Sequence, residues 1–219
     1  ILVMTDMISD IPAAIGKVTR KLDKVERNGR SAWRLTATRI YETSVDDAWD
    51  ALTNPERIPR WFLPISGELH PRGRYQFEGN AGGVVERCDP PARLAVTWEM
   101  QGEVSWVEGT VSEAGAGQTR FELVHVAHVP EAIFDQYGPG GVGIGWDLAL
   151  VGMEKHFATK AAVDPKAAEA WVQSTAGRVY VEACSAAWAD ASIGAGTDPE
   201  KAEAAAAQVS DFYSPQQVS

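Results

Sequence analysis

The spacing of hydrophobic residues along the chain changes character twice. Residues 17–41 alternate between apolar and polar positions on both sides of Asn28-Gly29, a pair that favours the two positive φ angles of a tight hairpin turn. Residues 65–129 keep a period of two in short runs separated by Gly- and Pro-rich turns, and beyond residue 145 the period becomes helical. The pattern therefore predicts a hairpin, then an antiparallel meander, then a helical C-terminal part.

Two helix starts lie between the predicted hairpin and the meander. Ser44 precedes Asp47 at a spacing typical of a helix N-terminus, because the hydroxyl accepts a backbone N–H there and the acid suits the positive end of the helix dipole. Asn54-Pro55 is a second start, since asparagine caps a helix and proline fits its first turn. We expect two short helices, the second ending near Trp61.

A glycine-rich segment, residues 138–145, leads into the longest predicted helix. Residues 138–143 match the pattern G-x-G-x-x-G, but a dinucleotide site needs a preceding parallel strand and a βαβ unit, which a meander does not supply. We interpret the segment either as a flexible loop at the mouth of a cavity or as an ordinary loop that leads into the helix. One face of the following helix carries large apolar residues at helical spacing. They are Trp146, Leu150, Met153 and Phe157.

Residues 161–219 are predicted to form an all-helical extension. Asp164-Pro165 and Asp198-Pro199 each combine a helix-capping acid with a proline suited to the first helical turn. We expect the extension to pack on the body, residues 1–160, or on a partner subunit. A homodimer formed through the extension is therefore one expected assembly.

Charge and cysteine content narrow the classes of function. The 219 residues include 30 acids and 20 bases, a net charge of −10, which disfavours nucleic acid and anionic membrane surfaces as partners. The longest mostly apolar stretch, residues 142–153, is too short to span a bilayer. Cys88 and Cys184 give neither a disulfide framework nor the spacing of a metal site. We expect a cytoplasmic protein with no metal and no cofactor.

Several segments resemble one known superfamily. They are Ala48–Thr53, Asn54–Arg57, Trp61-Phe62, Gly73–Tyr75, Pro90–Trp98, Gly117–Leu123 and Gly145-Trp146. Together they are similar to the START-like superfamily, also called SRPBCC or helix-grip, and within it to the branch named after the activator of heat-shock-protein ATPase. The resemblance implies an α+β fold in which a curved antiparallel sheet wraps around a long C-terminal helix. It also implies a cavity between sheet and helix that holds apolar ligands.

The chaperone role does not come with this resemblance. Co-chaperones of this type have a separate N-terminal domain with an Asn- and Trp-rich motif, and residues 1–40 contain nothing like it. We therefore do not expect the chain to activate a chaperone ATPase.

Aromatic residues mark the predicted wall of the cavity. Large rings give a concave site apolar area, and tryptophan adds an N–H group for hydrogen bonding. Strand parity, the helical stripe and the glycine-rich segment together assign a set of residues to this wall. They are Trp61, Tyr75, Phe77, Trp98, Trp106, Phe121, Leu123, His125, Tyr137, Trp146 and Leu150.

Three functions stay open from the sequence. The favoured one is binding of a small hydrophobic or aromatic molecule, without catalysis. The second is an enzyme of the polyketide cyclase or dehydratase kind found in this superfamily, with His125 as acid or base beside Tyr75 or Glu108. The third is a regulatory interaction module that acts through the extension. A roomy cavity where His125 and a carboxylate converge favours the enzyme, whereas a purely apolar cavity favours the binding protein.

Overall fold

The structure of this protein is a computed structural model that describes residue 8 and residues 10–215. The N-terminal part consists of α1 (Ile11–Gly16), β1 (Val18–Arg27), β2 (Arg30–Tyr41), α2 (Val45–Thr53) and a 3-10 turn (Ile58–Arg60). The meander consists of β3 (Ile65–Gly67), β4 (Arg74–Phe77), β5 (Gly82–Asp89), β6 (Arg93–Met100), β7 (Glu103–Gly115) and β8 (Gln118–Ala127). The C-terminal part consists of α3 (Glu131–Tyr137), α4 (Gly140–Thr159), α5 (Pro165–Val172), α6 (Thr175–Gly194) and α7 (Pro199–Tyr213).

The strands form one antiparallel sheet in the order β1-β2-β8-β7-β6-β5-β4-β3. Successive strands of the meander pair with each other, and β2 pairs with β8, which places the N-terminal hairpin at one end of the sheet. The long helix α4 lies against one face of the sheet, where Phe121 and Val111 share a core with Leu150 and Met153. This is the α+β helix-grip architecture that the family resemblance implies.

Local signals decide the β1–β2 hairpin and helix α2 as expected. Asn28 and Gly29 have φ angles of 54° and 72°, the two positive values that the tight turn requires. The Ser44 hydroxyl accepts a hydrogen bond from the Asp47 backbone N–H at 3.2 Å. The second predicted helix is wrong in extent, because only a single 3-10 turn forms. Pro59 within that turn has no N–H to donate to the preceding turn.

The predicted orientation of β7 is wrong. The turn at Gln101-Gly102, where both φ angles are positive, pairs Trp98 with Ser105 across the β6–β7 hairpin. Directly paired residues share a face of the sheet, so Ser105 points inward with Trp98, while Trp106 and Glu108 lie on the other parity. Apolar residues occupy both parities of β7, and the length of the turn, not the alternation, sets the register.

The glycine-rich segment 138–145 is mostly helix and not a loop, which corrects the prediction. The α4 helix begins at Gly140. A Cβ atom at Gly143 would lie 2.4 Å from ring atoms of Trp188 in α6, and one at Gly140 would lie 2.9 Å from Val209 in α7. The glycines therefore allow two helices of the C-terminal part to approach α4 closely, and this packing offsets the low helix propensity of glycine.

The C-terminal helices pack on the body of the same chain. Helix α6 contacts α4 and β1, and α7 contacts α6 and α3. Tyr180, Cys184 and Val209 are buried in a cluster with Ile144 and Val151 of α4. A homodimer through these helices stays a prediction. Within the described part of the chain, no helix is long and apolar enough to cross a membrane.

A buried ion pair holds α4 to β1 and α6. The Asp147 carboxylate is fully buried and accepts hydrogen bonds from Arg20, at 3.0 and 3.2 Å, and from the Trp188 indole N–H at 2.9 Å. Burial raises the pKa of Asp147, whereas Arg20 and the indole N–H oppose that rise because they favour the charged form. Three donors on one buried carboxylate thus join three elements of the fold.

Candidate functional site

An apolar cavity of about 130 Å³ lies between the sheet and α4. Strands β4 to β8 supply its floor, α4 supplies its roof, and α2 with the 3-10 turn closes one side. Most of the predicted wall residues surround this cavity. They are Trp61, Tyr75, Phe77, Trp98, Phe121, Leu123, Trp146 and Leu150.

A cluster of aromatic rings forms much of the wall. Phe62 stacks on Trp146 with ring centroids 6.0 Å apart and meets Phe77 edge-on at 5.0 Å. Trp98 meets Trp146 edge-on at 5.1 Å. The prediction missed Phe62, although it directly follows Trp61 in a segment that carries the family resemblance. Such offset and edge-on contacts suit ring quadrupoles and leave a rigid apolar surface.

Polar atoms of the wall are bonded away from the cavity. The Tyr75 hydroxyl donates to the Thr97 carbonyl at 2.7 Å, and the Trp61 indole N–H donates to the Ala51 carbonyl at 2.9 Å. Burial raises the pKa of Tyr75 well above its usual range, so its hydroxyl stays protonated. Burial also raises the pKa of the Cys88 thiol. The cavity therefore offers a ligand apolar contact and no ionised side chain of its lining residues.

His125 lies behind the cavity wall and not in it. Its Nδ1 accepts a hydrogen bond from the Trp146 indole N–H at 3.0 Å, and since indole is only a donor, the ring proton must be on Nε2. That Nε2–H donates to the Ser105 hydroxyl at 2.8 Å, which in turn donates to the Trp98 carbonyl at 3.1 Å. Burial lowers the pKa of His125 to about 4. The imidazole is thus neutral near pH 7, with both nitrogens engaged.

The other predicted site residues do not converge on the cavity. Glu108 forms an ion pair with Arg93 at 2.6 Å, and Trp106 carries the Arg27 guanidinium over its ring at 4.6 Å. Both lie on the opposite face of β7 from the cavity, because the turn sets the register of that strand. Tyr137 lies outside the cavity wall. Across residue 8 and residues 10–215, no group of three or more His, Cys, Asp or Glu side chains could hold a metal ion.

The curved antiparallel sheet, the long helix and the apolar cavity between them define a START-like, helix-grip protein. Residues 42–158 match the family described as activator of Hsp90 ATPase homolog 1-like protein. The match spans more than half of the chain, so the protein belongs to this family.

Solved structures give the same architecture. The crystal structure of CalU16 from Micromonospora echinospora is 30% identical, with a TM-score of 0.62, and the alignment covers 80% of this chain and 97% of that one. Its solution structure gives a TM-score of 0.67 at 29% identity over 81% and 96% of the chains. DynU16, a putative protein in the dynemicin biosynthetic locus, has a TM-score of 0.51 at 20% identity, over 59% of this chain and 48% of that one. Because the identity to DynU16 is only 20%, this comparison shows similarity of fold alone. No curated protein sequence matches the chain.

Proposed function

We propose that the protein binds a small apolar or aromatic molecule in the cavity between the sheet and α4, without transforming it. The observation that carries the proposal is the composition of the wall, in which aromatic and aliphatic side chains surround about 130 Å³ and the hydroxyl of Tyr75 is bonded to backbone. Apolar cavities of about 150 Å³ stay dry and accept a molecule the size of benzene. A single aromatic ring is therefore the unit that the cavity accommodates.

The cyclase or dehydratase alternative lacks an assembled acid–base group among the described residues. The Tyr75 hydroxyl donates a hydrogen bond to the Thr97 carbonyl, and Glu108 is paired with Arg93 on the other face of β7. Both nitrogens of His125 are hydrogen-bonded behind the cavity wall. General acid–base catalysis needs a group within hydrogen-bond reach of the bound molecule. The geometry supports binding better than catalysis by these residues.

We propose a cytoplasmic location and a small-molecule partner. The thiols of Cys88 and Cys184 are free, which suits a reducing compartment. The net charge of −10 favours a small-molecule partner, because it opposes contact with nucleic acid or anionic lipid.

Native mass spectrometry of freshly purified protein tests for a ligand that is retained from the cell. Calorimetric titration with toluene then tests the position of the site. We expect toluene to bind the wild-type protein. We expect Ala149→Leu to abolish that binding, because Ala149 is a buried wall residue and an isobutyl group there occupies the cavity.

A matched variant controls for the added bulk. Ala158→Leu places the same side chain at an exposed position of the same helix, and we expect it to bind toluene as the wild type does. Equal toluene binding by Ala149→Leu and the wild type, with both proteins folded, contradicts the proposed site. Circular dichroism spectra of both variants check that they are folded.

A further inference from the structure

A second cavity, which we call the outer chamber, lies beside the first turn of α4. Its volume is about 280 Å³, and the β1-β2-β8 end of the sheet, α3 and α7 enclose it with α4. It is separate from the cavity described above, which we call the inner cavity. Trp146 lines the inner cavity, His125 lines the outer chamber, and the 3.0 Å hydrogen bond between them joins the two walls.

Part of the outer chamber comes from segments of the chain outside the family match at residues 42–158. The first hairpin supplies Leu22, Trp33 and Leu35, and α7 supplies Phe212. The N-terminal hairpin and the last helix therefore build a concave surface together. The matched family segment alone does not contain these walls.

Aromatic side chains are prominent in the lining of the outer chamber. Trp33 and Phe134 stack with centroids 4.3 Å apart and an angle of 9° between their planes, and the Lys24 ammonium lies 4.9 Å from the centroid of the Trp33 ring. The Tyr137 and Phe212 rings, which also line the chamber, have centroids 5.7 Å apart. At the inner end, His125 has both nitrogens bonded and is neutral. Such a surface favours a flat apolar molecule over a charged one.

The opening of the outer chamber has an apolar rim. Ile133, Val142 and Phe212 line the chamber, and they are 48%, 42% and 66% exposed. Seven large hydrophobic side chains of residues 10–215 are this exposed, and three of them line this one chamber, so they concentrate exposed apolar surface there. Exposed apolar surface at a concave site marks a place where an apolar ligand or partner binds.

We propose that the outer chamber is a second ligand site, which takes a flat, uncharged molecule of two or three aromatic rings. Size separates it from the inner cavity, since 130 Å³ suits a single ring whereas 280 Å³ is more than twice as large. The larger volume approaches the lower end, about 300 Å³, of pockets for drug-sized ligands. The assignment does not depend on what the inner cavity binds.

Fluorescence titration with N-phenyl-1-naphthylamine, an uncharged aromatic probe that brightens in apolar surroundings, tests the proposal on the full chain. We expect saturable binding by the wild type and at least about tenfold weaker binding by Gly141→Leu, whose side chain takes up part of the chamber and displaces apolar contact with the probe. A Cβ atom at Gly141 meets the Tyr137 Cβ at 3.4 Å, an ordinary contact, so the backbone accepts the change.

Three further variants assign the signal to the chamber. Gly194→Leu is the matched control, because a Cβ atom there meets open space at the exposed end of α6, and we expect wild-type affinity. Phe212→Ala removes an exposed rim side chain and should weaken probe binding severalfold through lost apolar contact. Ala149→Leu fills the inner cavity instead and should leave probe binding unchanged.

Specific results overturn the proposal. One is the absence of saturable probe binding by the wild type. Another is wild-type affinity in folded Gly141→Leu, and a third is loss of probe binding in Ala149→Leu alone, which places the probe in the inner cavity. Sedimentation velocity tests the alternative that a second copy of this chain occupies the chamber. A wild-type dimer that Phe212→Ala dissociates, together with no probe binding, assigns the rim to self-association.

Discussion

The long helix α4 has two buried sides that are built in different ways. On the side that faces the sheet, large side chains such as Trp146 and Leu150 leave a cavity of about 130 Å³. On the side that faces the C-terminal helices, Gly143 lets the Trp188 ring reach the backbone, and Asp147 forms a buried ion pair with Arg20.

The difference shows what makes one interface hollow and the other dense. The Trp98 ring of the sheet meets the Trp146 ring of α4 edge-on, and rigid rings cannot collapse into the space that remains between them. Glycines instead remove the side-chain layer, so helix α6 approaches until its ring contacts the α4 backbone. Both of these sides of α4 are buried, and the size of the residues on each side decides where space remains.

The largest expected effect comes from breaking the ion pair on the dense side. Asp147→Ala leaves the Arg20 guanidinium, only 4% exposed, without its carboxylate. We expect the free energy of unfolding to fall by about 3–5 kcal/mol, the usual cost of leaving one partner of a buried pair uncompensated. Urea denaturation followed by circular dichroism measures it.

An exposed ion pair provides the matched control for that variant. Arg74 and Glu99 pair at 2.6 Å with side chains 66% and 32% exposed, so Glu99→Ala should cost no more than about 1 kcal/mol. Similar losses for Asp147→Ala and Glu99→Ala contradict the role assigned to the buried pair.

Two glycines in the first turns of α4 give a comparison with opposite expected signs. Gly143→Ala places a Cβ atom 2.4 Å from the Trp188 ring, and we expect a loss of about 1–3 kcal/mol from overpacking. Gly141→Ala has only an ordinary 3.4 Å contact, and we expect a gain of up to about 1 kcal/mol, because alanine favours the helix. Thermal and urea unfolding measure both variants, and effects of the same sign would falsify the close-packing explanation.

The smallest expected effect is a pH dependence of the stability that arises from His125, which lies behind the wall of the inner cavity. Burial lowers the pKa of His125 from 6.5 to about 4, so between these values the unfolded chain binds a proton that the folded chain does not. Stability therefore falls as the pH drops below 6.5, by about 1 kcal/mol from pH 7 to pH 5.5.

Urea denaturation at pH 7 and pH 5.5 measures this contribution. His125→Gln has no titrating ring, so we expect its stability to change less between the two pH values than that of the wild type. An identical pH dependence in the two proteins contradicts the assignment to His125.

Local chemistry explains which parts of the candidate site were predictable. The stripe with Trp146 and Leu150 and the inward parity of Trp98 follow from spacing alone, since each element repeats its own period. Trp106 and Glu108 were misplaced because β7 carries apolar residues on both parities. The Gln101-Gly102 turn contained the missing signal, because a two-residue hairpin loop sets which residues pair.

The sequence by itself determined the elements whose cause is local. The Asn28-Gly29 turn, the Ser44 cap, the meander and the long helix each depend on residues that are neighbours in the chain. Only the tertiary structure decided that the glycine-rich segment is helix, because its partners lie in α6 and α7, far along the chain. It likewise decided that His125 lies behind the Trp146 ring and that the last helix helps to enclose a second chamber, since burial and enclosure depend on contacts between distant segments.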